Sequence, residues 1–539
     1  MNISGRIISI HEREIYSGTI RTEQELIKEI KREVTGKDYY ILPGLIDSHI
    51  HIESSMCTPG AFAMAAVSRG TTGVISDPHE IANVLGIDGM KFMIEDAERV
   101  PVKFWFGAPS CVPATSFESS GANIDSGDVE RLLMMPEIKY LSEMMNFPGV
   151  ISGDTEVLRK LETAKKLGKP IDGHSPGLTG ENLRKYISAG ISTDHECTTI
   201  EEALEKISLG MKILIREGSA ARNLEALKDL IATHPDMVML CSDDLHPEML
   251  GKRHINKIAA GLISEGYDLF DVLRSCTINP AKHYDLEAGL IRPGDPADFI
   301  VVDDPGEMNV LETWIDGTKV FDRGKILFDY TGAEPVNKFY CTGIKKHDIT
   351  IRRAGEKMRV IEAFEGELLT RELIVDIQPG TWVSSDLNRD ILKIVVKDRY
   401  TDTAPATGFI KGFGLKRGAF AGTVAHDSHN IICIGTNDDD IVSAINEVVK
   451  MKGGLAVAKG NHISFLPLPI AGIMSDKPVS TIAAQYENLS QKVKEMGSML
   501  SAPFMTLSFM ALLVIPELKL SDRGLFDGRK FQFVPLFIH

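Results

Sequence analysis

The chain contains no Cys-x-x-Cys pair, and its seven cysteines stand apart at positions 57, 111, 197, 241, 276, 341 and 433. Scattered thiols in odd number exclude a disulfide framework and fit a reducing compartment. Positive charge is also short. The formal net charge is −16, with the acidic residues spread along the chain. That balance argues against a nucleic-acid backbone as partner and favours a soluble, cytoplasmic protein. Long apolar runs are missing too. The greasiest stretch, Ser501–Ile515, is broken by Pro503 and closed by Pro516. It falls short of the roughly 20 residues a membrane span needs, so a buried helix is expected and no membrane partner. The first residues, MNISGRIISIHERE, turn charged too soon for a signal peptide. Neither internal repeats nor low-complexity tracts occur.

What the chain has in quantity is length and core-forming residues: 539 residues, 43% of them hydrophobic. A prior of about 150 residues per domain suggests two to four domains. Between residues 41 and 245, short β-rich apolar runs alternate with helix-like stretches. The runs cover 41–52, 71–78, 102–112, 138–145, 169–174, 190–196, 211–217 and 237–244. Intervening segments such as 59–68, 88–99, 154–167 and 200–209 carry apolar residues at helical spacing. Eight strand–helix units predict an α/β chain built on a (β/α)8 barrel. A doubly wound sheet is the other arrangement of such units, but no phosphate-binding glycine fingerprint follows the first strand.

The flanks read differently. Residues 1–40 begin with a strand-like GRIISI, and 288–345 read as turn-rich β, so the two are expected to pair into a small flanking β-subdomain. The barrel would then span 41–287, and 346–539 would form a C-terminal α/β domain with polar loops around Gly412–Asn430 and Gly453–His462.

The chemistry begins at Asp47–Glu53, DSHIHIE. A strand sends residues i and i+2 to one face, so His49 and His51 point together, as two ligands of one metal ion must. Barrel enzymes place their chemistry where strands end, on the C-terminal face. There the chain offers His79 after the second strand, Glu143 on the fourth, His174 on the fifth, His195 on the sixth and Asp243 on the eighth. His49, His51, Glu143, His174, His195 and Asp243 are too many ligands for one catalytic ion that keeps an open position. Two ions sharing Glu143 as a bridge accommodate them. Such a pair lowers the pKa of bound water and clamps both the nucleophile and the atom under attack. Asp243 is placed to hold an ion and carry a proton. His79, in DPHE, is placed to polarise a substrate. Glu217 and Ser219 end the seventh strand and are expected to touch the substrate's edge. Asp244 reads as a cap for the following helix. Imidazole and carboxylate ligands suit Zn, Mn or Fe and do not choose among them.

GLIDSHIHIE, the single histidines on strands five and six, the strand-eight Asp and GDPADFIVVD together resemble the amidohydrolase superfamily. Within it, DSHIHIESSM, SDPHEIANVLG, EMMNFPGVI, DGHSPGL, STDHECT and HDSHN are similar to motifs of the adenine deaminase family, along nearly the whole chain. The resemblance implies a hydrolase converting adenine and water to hypoxanthine and ammonia, with the six ligands named above. It also implies Mn or Fe ahead of Zn. Many superfamily members bridge their metals with a carboxylated lysine on strand four, where this chain has Glu143. Lys139 shares that face but lies about 13 Å deeper along the strand. Zinc deaminases that act on flipped bases use a Cys-rich signature, which is missing here. The resemblance further suggests that the loop carrying His426 and His429 reaches the barrel mouth and contacts substrate. A homo-oligomer, a dimer, is expected. Two other readings remain: a cyclic-amide hydrolase or deacetylase of the same superfamily, and a barrel scaffold that has lost its metals.

Overall fold

In the computed structural model, which describes residues 1–219 and 221–538, eight parallel strands form the expected barrel. They are β1 Leu45–Ile50, β2 Thr71–Ser76, β3 Lys103–Ala108, β4 Ile138–Met144, β5 Ile171–Gly173, β6 Thr193–Asp194, β7 Lys212–Arg216 and β8 Val238–Cys241. One ladder joins β1 through β5 and another joins β6 through β8. The Ser192 N–H donates to the Ile171 carbonyl at 2.9 Å, linking the two ladders. The ring closes where Ile50 bridges Asp243 in parallel and the Asp243 N–H donates to the His49 carbonyl at 2.9 Å. All strand residues of β1, β2 and β8 are buried, as a parallel sheet covered on its outer face requires.

Helices between the strands supply that cover. Pro59–Val67, Ile87–Ala97, Thr155–Lys166 and Ile200–Ser208 fall where helical periodicity places them. Asp154 starts one by accepting the Glu156 and Val157 N–H groups, and Thr199 starts another by accepting that of Glu202.

The run expected as a single strand over 41–52 is two strands. Tyr40–Pro43 turns away into the flanking sheet, and only Leu45–Ile50 enters the barrel. The break falls at Gly44, where a Cβ would lie 2.1 Å from Thr72 Oγ1. The flanking sheet has eight strands, and its two halves meet where Phe299–Val302 pairs with Tyr40–Pro43. The N-terminal segment and the segment after the barrel therefore do form one sheet.

Beyond it, a second large sheet of nine strands and the helices Asp438–Met451 and Val479–Glu495 build the C-terminal part. The apolar stretch at 501–515 becomes a short helix, Pro503–Ser508, and a following turn, Phe509–Ala511, both buried. Among the described residues no helix is long and apolar enough to cross a membrane. This second part leans on the C-terminal face of the barrel. The Asn430 amide donates to the Ser119 carbonyl at 2.8 Å, and Tyr486 Oη pairs with His246 Nδ1 at 2.8 Å.

Candidate metal centre

The strand ends converge as the spacing implies. Glu143 is the hub. Its Oε2 lies 3.0 Å from His174 Nδ1 and 3.0 Å from His195 Nε2. Its Oε1 faces the other way, 3.6 Å from His51 Nε2 and 3.5 Å from His79 Nδ1. Asp243 Oδ1 completes the second group, 3.5 Å from His49 Nε2 and 3.3 Å from His51 Nε2. Ligands held about 2.1 Å from one tetrahedral ion sit about 3.4 Å from each other, which is the separation found here. The donor set divides into two nests, with one oxygen of Glu143 in each. Both ring nitrogens of His49 are buried without a hydrogen-bond partner. An imidazole left that way inside a protein fits a metal ligand and little else. The residues therefore fit two divalent ions. Lys139, by contrast, is exposed at the opposite end of β4.

Supporting groups fix how the ligands point. Asp47 accepts the Ser242 N–H at 3.0 Å, the Ser242 hydroxyl and His254 Nε2 at 2.8 Å. It thus ties β1 to the segment after β8 directly beneath His49. Asp77 accepts the His79 N–H at 3.2 Å and the Glu143 N–H at 3.3 Å. The Asp77 carbonyl lies 3.0 Å from His51 Nδ1. A proton on Nδ1 leaves Nε2 free to face the nest, the usual arrangement behind a metal-bound histidine. Asp194 accepts the Ser175 N–H and hydroxyl and the buried Lys206 ammonium at 3.0 Å, bracketing His174 and His195.

Two functional neighbours escaped the sequence reading. Glu196 Oε1 lies 3.4 Å from His195 Nε2 and 3.5 Å from His174 Nδ1. Arg216, buried at the end of β7, grips Glu196 through both terminal nitrogens and donates to Asp243 Oδ2 at 2.8 Å. The signal was strand register: Arg216 lies beside Cys241 on β8, two residues before Asp243. Its side chain therefore points inward and that of Glu217 does not. A repeated Asp-x-His, at 47/49 and 77/79, would have marked two of the supporting aspartates.

Electrostatics follow the contacts. Burial pushes the Glu143 carboxyl up, but His174 and His195 outweigh it and hold it well below the usual carboxylate range. Asp243 is held well below as well, against burial, chiefly by Arg216 and then by His49 and His51.

The remaining expected residues divide. His79 joins the cluster, between Asp77 Oδ1 at 3.2 Å and Glu143. His426 and His429 reach it from the C-terminal part by way of Glu80, which contacts His426 Nδ1 and His429 Nε2. Glu217 and Ser219 do not join it. Glu217 lies between Arg222 at 3.3 Å and Arg253 at 3.4 Å, and Ser219 Oγ accepts the His246 N–H at 2.9 Å. Asp244 is no helix cap. The helix Pro247–Leu250 begins at His246, and Asp244 instead accepts the Ser54 hydroxyl at 2.5 Å.

Residues 40–320 match the amidohydrolase family, and 367–532 match the adenine deaminase C-terminal domain. Curated relatives agree along the whole length. An adenine deaminase of Sulfurovum sp. (strain NBC37-1) is 53% identical over 535 residues, covering 99% of both chains. One of Methanosarcina mazei is 50% identical, also covering 99% of each. One of Salinibacter ruber is 48% identical over all of this chain and 99% of its own. With two nests of histidines around a glutamate and full-length identity near half, the chain belongs to the adenine deaminase family of amidohydrolases.

Proposed function

We propose that this chain hydrolyses adenine to hypoxanthine and ammonia, with His49, His51, Glu143, His174, His195 and Asp243 holding two divalent ions. The observation that carries the reading is Glu143, whose two oxygens face separate histidine groups. Ions held there would lower the pKa of water and so supply a nucleophilic hydroxide near neutral pH.

The chain's own groups account for the rest. Replacing the C6 amine by oxygen moves both protons of water: one is taken as the oxygen attacks, the other leaves the new C6 hydroxyl as the carbonyl forms, and the departing amine and a ring nitrogen receive one each. Asp243 Oδ1 is the acceptor for the first. Arg216 on Oδ2 keeps this carboxyl acidic, so a proton taken there passes on readily to the more basic leaving amine. His79 presents Nε2 on the side away from Asp77, 3.6 Å from Glu80 Oε1 and 3.9 Å from Asp427 Oδ1. From there it polarises the purine ring. His426 keeps a buried Nε2 without a partner and stacks on Phe509 at 4.9 Å, a polar edge beside an aromatic wall suited to a flat heterocycle. His429 acts through Glu80. Glu217 and Ser219 are spent on other partners and shape the loop over β7 and β8.

The ligand types alone do not choose among Zn, Mn and Fe; the family resemblance puts Mn or Fe ahead of Zn. We place the enzyme in the cytoplasm as a homo-oligomer, a dimer. Release of ammonia from adenine by protein reconstituted with Mn tests the reading. Turnover of a cyclic amide with no ammonia from adenine would favour the cyclic-amide alternative.

A further inference from the structure

Glu143 lies at the end of β4 and His174 directly follows β5, and these two strands are neighbours in the barrel. Their pairing is irregular at that point. Leu141 pairs with Ile171 and Met144 with Gly173, an advance of three residues on β4 against two on β5. The extra residue is a β-bulge, and Glu143 lies within it. A bulge beside an active site re-aims a side chain and locally disrupts the ladder between its strands.

Here the link between the strand ends runs through a side chain. Tyr186, on the buried face of the helix Gly180–Ser188, sends its hydroxyl between them. The hydroxyl accepts the His174 N–H at 3.0 Å and donates to the Met144 carbonyl at 2.8 Å. A phenol has one proton to give and lone pairs to receive, so both of its roles are used. Gly173 keeps the space open. A Cβ there would lie 2.4 Å from the Thr193 carbonyl and 3.1 Å from Tyr186 Oη.

The consequence falls on the spacing of two metal ligands. On one side of His174, the Ser175 N–H and hydroxyl reach Asp194 of β6 at 2.8 and 2.9 Å. On the other, Tyr186 ties the His174 backbone to Met144, the residue after Glu143. Removing the hydroxyl cuts the second tie and leaves a buried N–H and a buried carbonyl without that partner. The nest that feels this holds Glu143 Oε2, His174 and His195, where His174 Nδ1 lies 3.0 Å from the carboxylate. The other nest is braced separately. Asp77 accepts the His79 and Glu143 N–H groups, and its carbonyl lies 3.0 Å from His51 Nδ1.

We propose that Tyr186 is a positioning residue of the metal centre: its hydroxyl sets the spacing between Glu143 and His174, and so tunes the affinity of one nest apart from the other. Tyr186 holds no ion and meets no substrate. It acts through the backbone of a ligand, across the bulge that aims the bridging carboxylate.

The proposal rests on the two-ion reading, so the test separates the two. Full-length protein is freed of metal with a chelator and reconstituted with Mn. Affinities are then measured by competition with a chelating dye. The wild type should bind two Mn per chain and give the paramagnetic resonance signal of a coupled pair. Tyr186→Phe keeps the ring and its packing. It should hold one Mn at wild-type affinity and the other about 10- to 100-fold more weakly. At limiting Mn its signal should be that of isolated ions. Tyr330→Phe is the control, because that hydroxyl also joins two partners, Thr58 Oγ1 at 2.7 Å and Asp96 Oδ1 at 2.8 Å, and touches no ligand. It should keep both affinities.

Wild-type affinity for both ions in Tyr186→Phe would overturn the proposal. Equal weakening of both, or the same loss in Tyr330→Phe, would overturn it too, since general loosening of the barrel gives that result. A wild type that binds a single Mn would count against the two-ion reading. Tyr186 then keeps its role only if that one ion weakens in Tyr186→Phe.

Discussion

Replacing Arg216 probes the site while leaving all six ligand residues in the chain. Arg216 is buried and meets two buried carboxylates: Glu196 through both terminal nitrogens, one at 3.0 Å, and Asp243 Oδ2 at 2.8 Å. Removing one partner of a buried ion pair costs about 3–5 kcal/mol, because the other charge stays buried and uncompensated. Arg216→Met leaves two such charges. The chain can respond by protonating Glu196 and by letting Asp243 rotate, and rotation carries Oδ1 away from His49 and His51. A displacement of about 1 Å at a reacting group costs about 10²-fold in rate. Loss of the fixed charge adds to this, so kcat/KM should fall about 10³-fold. Arg216→Lys keeps the charge and loses the fork. It should restore metal content and recover about one decade. Steady-state ammonia release and metal content on the same samples give the reading. Wild-type kcat/KM in Arg216→Met, with both ions bound at wild-type affinity, would refute the claim that Arg216 positions Asp243.

Other outcomes follow from single contacts. Glu143→Gln removes the charge shared by both nests, so both ions should bind more weakly, measured by competition with a chelator. Retention of either at wild-type affinity would show that Glu143 does not bridge. Lys206→Met deletes the buried cation that pairs with Asp194 at 3.0 Å and Glu202 at 2.7 Å. It should cost about 3–5 kcal/mol in denaturant midpoints, and a loss under about 1 kcal/mol would count against that pairing. Glu248 leans on the helix Val479–Glu495. Burial, with Glu487 nearby, pushes its carboxyl up to about 7, and its Oε2 has no partner. The folded chain thus holds this proton more tightly than the unfolded one. Stability is greatest below about 4.3, falls as pH rises to about 7 and stays lowered above it. Glu248→Gln should gain about 1–2 kcal/mol at pH 8, allowing for partial water access, and little at pH 4. An equal gain at both would remove the carboxyl as the cause.

The barrel was legible because its signal is local. Apolar runs of strand length recur with helices between them, and a parallel strand's C-terminal end is also where its sequence turns polar. His49, His51, Glu143, His174 and His195 could be read at those ends without knowing any pairing. Arg216 could not. Choosing it over Glu217 requires the register between β7 and β8, which no single strand reveals. Gly44 hid the switch of Tyr40–Pro43 into another sheet, because the apolar character continues across it and only the close approach of Thr72 demands glycine. The pairing of Glu80 with His426 spans 346 residues. It depends on how two separately built parts dock, and the sequence carries no period for that. Asp244 was misread for a related reason. Its hydroxyl donor, Ser54, comes from the opposite end of the barrel's chain.

The most direct test is ammonia release from adenine by metal-free protein to which Mn or Fe is returned, with hypoxanthine measured in the same tube. Ammonia and hypoxanthine should appear in equal amounts, only after metal is restored, and Glu143→Gln under the same conditions should produce neither at a comparable rate. Full metal occupancy with Mn, Fe and Zn in turn, and no ammonia from adenine with any of them, would contradict the assignment of this centre to adenine hydrolysis.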